Sequence, residues 1–215
     1  MSSPPLDVVP LALGAAVSPM LLVGQMRTLT APGSGVRQSW AYVAGNAVVV
    51  AGWALVGLGS GGSLPVRAAG ADPVSAGLRL VLAAVLLAIG ARALQREGGT
   101  ASPARGGHSL ARSFGLGIAL MAGNLTSLVL YLPALQDLAR SGLAAGPLAA
   151  LVVLVSLVTL APSLLPPLVL VLTGAWGRSR LEQLCGWTLA HQGRINGGLC
   201  VLFAAYLGWS GVARL

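Results

Sequence analysis

No lysine occurs in this chain, and only five acidic residues, Asp7, Asp72, Glu97, Asp137 and Glu182, stand against 13 arginines. Charged residues make up 8% of the 215 positions and hydrophobic ones 55%, a balance that cannot cover a soluble globule and excludes one. Reactive side chains are equally scarce. The two histidines, His108 and His191, fall outside every apolar stretch, and Cys185 and Cys200 form neither a metal-ligand spacing nor an evident disulfide. There is no Gly-x-Ser-x-Gly elbow, no paired carboxylate and no zinc spacing. No ionisable residue sits at the centre of an apolar stretch, where pumps and intramembrane enzymes place theirs. The sequence therefore predicts no catalytic activity, no metal and no cofactor.

What the chain has is apolar length. One helical crossing of a bilayer takes roughly 20 apolar residues, and spans are expected near 6–26, 39–60, 75–95, 113–135, 147–173 and 194–213. Breaks such as Ala31-Pro32-Gly33-Ser34-Gly35 and Gly98-Gly99-Thr100-Ala101-Ser102-Pro103 separate them, and no room remains for a soluble domain. The third span is uncharged only between Arg79 and Arg92, so both arginines are expected to snorkel toward opposite interfaces. Asp7 stands where a cleavable signal would carry a basic n-region, so the first span is expected to be retained.

Arginine placement sets the orientation. Arg27, Arg37, Arg92, Arg96, Arg105, Arg112, Arg178, Arg180 and Arg194 flank the connections after spans one, three and five, and only Arg67, Arg79, Arg140 and Arg214 lie opposite. This asymmetry predicts cytoplasmic odd-numbered connections, both termini outside and a location in the bacterial inner membrane. It also accounts for the formal charge of +8 without a nucleic-acid partner.

Six spans divide into halves 1–112 and 113–215, and three crossings per half give the second copy inverted topology. Each half opens on an interrupted span, with Ser18-Pro19 in the first and Asn124-Leu125-Thr126-Ser127 in the fourth. Each also closes on a related element, Gly90-Ala91-Arg92-Ala93-Leu94 and Gly211-Val212-Ala213-Arg214-Leu215. The expected fold is an all-α integral membrane protein of six transmembrane helices in two inverted three-helix repeats. Residues 180–192 are expected to form a short helix on the cytoplasmic surface. Its apolar stripe would be Leu181, Leu184, Cys185 and Thr188, opposite Arg180, Glu182, Gln183 and His191.

Within the spans the polar side chains are neutral. Serines and threonines satisfy themselves on preceding carbonyls. An amide does so less easily, which singles out Asn46 and Asn124. Helix-interior prolines free carbonyl acceptors and persist where protein or a wet cavity surrounds them, so Pro19 and the Pro162–Pro167 cluster are expected hinges. Gly193 with Gly197 and Ala204 with Gly208 suit close helix packing. Asp7 and Asp137 read as solvated interface residues near the outer surface, with a part in proton coupling as the alternative. The candidate binding residues are Ser18, Pro19, Asn46, Asn124, Thr126 and Ser127, grouped at the bilayer midplane between the halves.

Three segments carry a resemblance. Leu11-Ala12-Leu13-Gly14-Ala15-Ala16-Val17-Ser18-Pro19, Asn124-Leu125-Thr126-Ser127-Leu128 with Leu132-Pro133-Ala134-Leu135, and Trp187-Thr188-Leu189-Ala190-His191-Gln192-Gly193-Arg194-Ile195 resemble the glycopeptidolipid- and sulfolipid-addressing protein family of actinobacteria, within the lysine-exporter superfamily. The resemblance covers essentially the whole chain. It implies an inner-membrane exporter that acts on membrane lipids or another amphipathic envelope substrate. Further copies of the chain in a homo-oligomer, or envelope-lipid synthesis enzymes docked through the 178–192 helix and the basic loops, are the expected protein partners. An exporter of small amino acids or ions, and a non-transporting scaffold, are the alternatives. Relatives place an Asn-Pro-Lys-like element in span four. Asn124 matches it, but Leu125 and Thr126 stand at the Pro and Lys positions, which removes the intramembrane cation.

Overall fold

The structure, a computed structural model, describes residues 11–16, 18–29, 35–62, 73–95 and 109–212. Asp7, Pro10, Arg67, Asp72, Arg96, Glu97, Arg105, His108 and Arg214 lie outside the described residues, as does most of the Gly211–Leu215 element. The helices are α1 (11–16), α2 (Pro19–Leu29), α3 (Gly35–Gly62), α4 (Pro73–Gln95), α5 (Leu110–Ala122), α6 (Leu125–Ala139), α7 (Ala145–Ala190) and α8 (Gln192–Val212). Among the described residues there is no strand.

Among the described residues, three helical segments are long and apolar enough to cross a bilayer: Gly35–Ser60, Ala145–Gly174 and Gly193–Val212. A fourth crossing results if α5 and α6, bent by 69° at their junction, count as one broken span. The other two expected spans correspond to α1 with α2, in two pieces, and to α4, which carries Arg79 and Arg92.

The bundle is assembled on three sets of contacts. α4 lies along α8, α3 along α5 and α6, and α2 along α7. Glycine permits the closest of these. A Cβ on Gly45 would strike the Phe114 carbonyl oxygen, and one on Gly117 would strike that of Tyr42, so α3 and α5 meet backbone to backbone. The expected packing role of Gly197 holds, since a Cβ there would strike Leu94, whereas one on Gly208 would meet nothing. The largest buried cluster draws Leu11, Leu21, Val50, Leu86, Met121, Leu135, Leu160 and Leu207 from all eight helices. The outer surface is apolar as well, with Leu55 76% and Leu172 81% exposed, the surface that hydrocarbon covers.

Two expectations about charge are corrected. Arg79 does not snorkel. It is 2% exposed and forms a salt bridge through Nη2 with Asp137 of α6, while Nη1 donates to Ser210 Oγ of α8 at 2.7 Å. Asp137 is therefore a buried partner rather than a solvated interface residue. Two opposite charges that meet inside protein avoid the journey to water that either alone would need.

The expected hinges also move. α7 runs through Pro162, Pro166 and Pro167 without a break, and its non-helical residue is Gly174, at φ 59 and ψ −134. This left-handed conformation is open to glycine and strained for any other residue. The segment after Gly174 is helical as expected, but its faces are turned. Leu181 and Thr188 are buried, Leu181 against Met26, Leu29 and Leu170. Trp176, Leu184 and Trp187 face outward, with the Arg180 guanidinium 5.5 Å from the Trp176 ring centroid and His191 stacked on Trp187. The side chain of Cys185 lies outside the described set.

Candidate functional site

Two helices of the bundle begin in its interior, and their starts meet. α2 opens on Pro19, whose fixed φ and missing N–H suit the first helical position. Ser18 precedes it as the cap, with Oγ accepting from the Leu21 amide at 3.4 Å and its carbonyl from the Leu22 amide at 3.2 Å. The structure thus corrects the reading of Pro19 as a mid-helix kink. In α6 the cap is Asn124, whose Oδ1 accepts from the Ser127 amide at 3.4 Å.

The caps are joined. Asn124 Nδ2 donates to Ser18 Oγ at 3.0 Å and to Ser127 Oγ at 2.7 Å. Ser127 Oγ donates in turn to the Ala15 carbonyl at 2.6 Å, taking up an acceptor near the end of α1. Residues 106 apart in sequence thereby close one ring of hydrogen bonds across the two interruptions. The ring satisfies backbone groups that interrupted helices leave open, and both helix N-termini direct their positive dipole ends into it.

Four of the six predicted residues, Ser18, Pro19, Asn124 and Ser127, therefore come together. Asn46 and Thr126 are set apart. Thr126 turns toward α8, where its hydroxyl lies 3.9 Å from Cys200 Sγ. Asn46, fully buried on α3, packs opposite Gly117 of α5. Register places it near the ring. Gln25 of α2 donates to Ser39 of α3, and Tyr42 Oη donates to the Leu21 carbonyl at 3.1 Å, so α2 runs backward along α3 and the next turn sets Asn46 level with Ser18.

Sequence reasoning missed the buried polar residues Thr28, Ser39 and Ser113, all 0% exposed. They lie near the ends of apolar stretches, where the sequence pattern singles out no side chain. No group of three or more His, Cys, Asp or Glu able to hold a metal occurs among the described residues.

No curated protein and no solved structure matches this chain. A family profile does, that of Sap, sulfolipid-1-addressing protein, over residues 8–213. The match takes in both interrupted segments and the helix that follows Gly174, and the chain belongs to the sulfolipid-1-addressing protein family.

Proposed function

We propose that the chain is an exporter that moves a lipid, glycolipid or other amphipathic envelope component across the inner membrane by alternating access. Its six spans form two inverted repeats, 1–112 and 113–215, with the ring of Ser18, Asn124 and Ser127 at the midplane between them. Pro19 fixes the start of α2, and Asn46 and Thr126 flank the ring. The observation that carries the reading is the Asn124–Ser18 bond between the two interruptions. A continuous helix satisfies its own backbone groups across the bilayer interior, so a passive bundle gains nothing from two facing breaks there. Transporters place such breaks where polar groups of the substrate pass.

The packing supports the same reading. α3 of the first half lies on the broken span of the second, α7 of the second half lies on the broken span of the first, and α4 lies on its counterpart α8. Exchange of two equivalent halves generates this set. Membership of a sulfolipid-addressing family favours a lipid cargo, and the uncharged ring suits a molecule whose tails stay in hydrocarbon.

Reconstitution tests the proposal. Purified protein in liposomes is expected to move a reporter lipid between leaflets, and Asn124→Leu is expected to abolish most of that movement while the folded fraction stays unchanged. Wild-type protein that moves neither lipid nor solute would leave a scaffold as the better reading.

A further inference from the structure

We propose that the polar layer enclosed by α2, α3 and α5, from Gln25 and Ser113 to Asn46, is a binding site for hydroxyl groups on the approach to the ring. The layer is built, not incidental. Gln25, Ser39, Ser113 and Asn46 are each 0% exposed, and they come from three helices that otherwise meet through apolar side chains and glycine. Gly117 sits against Tyr42 and Asn46, and Gln136 of α6 donates to Ser60 of α3 at 3.1 Å. α5 with α6 therefore runs parallel to α3, and Ser113, one turn before Gly117, comes level with the Gln25–Ser39 bond.

Four buried atoms of this layer have no hydrogen-bond partner among the described residues: Gln25 Oε1, Asn46 Oδ1, Asn46 Nδ2 and Ser113 Oγ. The Asn46 amide lies beside the Tyr42 hydroxyl without reaching hydrogen-bond geometry. Buried polar atoms of native proteins are almost always paired, by ordered water or ligand where protein does not serve.

The type of each atom selects the ligand. An anion only accepts, so it would be repelled by Gln25 Oε1 and Asn46 Oδ1. An ammonium only donates, so it would leave Asn46 Nδ2 unanswered. A hydroxyl donates and accepts, and a short file of hydroxyls satisfies all four atoms. Two sources offer that chemistry, namely ordered water and the hydroxyls of a cargo headgroup. The second source rests on the export reading above, and the first stands without it.

Water-edited solid-state NMR of the full chain in bilayers distinguishes them. Side-chain amide signals of Gln25 and Asn46 are assigned by selective amide labelling, with Asn46→Leu as a cross-check. Both are expected to receive magnetisation from water at the rate of exposed loop amides. The spectra are then repeated with an alkyl glucoside and with an alkyl phosphocholine of equal chain length. Loss of water transfer and a shift of the Asn46 signal with the glucoside alone assign the site to headgroup hydroxyls. Water transfer unchanged by either amphiphile assigns it to water. Transfer to both amides no faster than to the backbone amides of Leu86 and Leu135, in the apolar core, overturns the proposal whether or not the protein exports lipid.

Discussion

Ser18 Oγ accepts from the Leu21 amide and from Asn124 Nδ2, so one hydroxyl both caps a helix and links the two interrupted segments. Ser18→Ala is expected to cost about 1 kcal/mol as a lost cap, and more because Asn124 Nδ2 loses an acceptor. Pro19→Ala is expected to do the opposite of what a kink-removing change would do. Proline is already suited to the first helical position, so alanine regains no broken bond and lowers stability by roughly 0.4–1 kcal/mol through unfolded-chain entropy. Thermal unfolding of both variants in one detergent checks the order. The Arg79–Asp137 pair gives a sharper contrast. Asp137→Asn strands a buried guanidinium and is expected to cost about 3–5 kcal/mol, whereas Arg79→Leu combined with Asp137→Leu should cost less than either single change. Denaturation in mixed micelles measures all four variants. Ser18 and Asn124 were legible because polar residues interrupt apolar runs there. The Arg79 pair was not, because its acid lies 58 residues away and a linear reading sees only a charge that shortens a span.

Among the elements, α7 shows how far periodicity reaches. Its apolar run and the helix after it are plain in the sequence, but the three prolines drew the expected hinge toward themselves. A proline is tolerated where its neighbours absorb the freed carbonyl, while the φ of 59 at Gly174 is a backbone demand with no periodic signature. Gly174→Ala meets no steric neighbour, so its expected loss of about 1–3 kcal/mol is purely conformational. A melting curve of the folded protein reads it. In the helix beyond, Leu181 and Leu184 lie on adjacent stripes, and a 3.6-residue period cannot say which stripe faces protein. Leu181→Asp is expected to destabilise the fold by opening its contact with Met26 and Leu170, while Leu184→Asp should leave stability within about 0.5 kcal/mol. Equal effects of the two changes would return both residues to one face.

For the molecule as a whole, arginine asymmetry sets the expected orientation. Single cysteines introduced by Ser102→Cys or Ser179→Cys in a cysteine-free background should be shielded from an impermeant thiol reagent in intact cells, and Ser63→Cys should react. Labelling of Ser102→Cys from outside would reverse the topology. Apolar length made a helical bundle legible, but helix neighbours were not, since contacts such as Gly45 on Phe114 leave no trace but small residues.

The buried bridge between α4 and α6 also bears on how the chain enters the membrane. Arg79 leaves the ribosome well before Asp137, so the third segment reaches the insertion machinery carrying a cation whose partner has not yet been made. An arginine disfavours insertion by up to about 2.5–3.5 kcal/mol at a helix centre, and Arg79, in the second turn of α4, carries part of that cost, which makes α4 the segment that waits. A chain cut after Arg112 is expected to leave it outside the bilayer, and the same cut after Gly142 to draw it in, so that α4 settles only once α6 has been made.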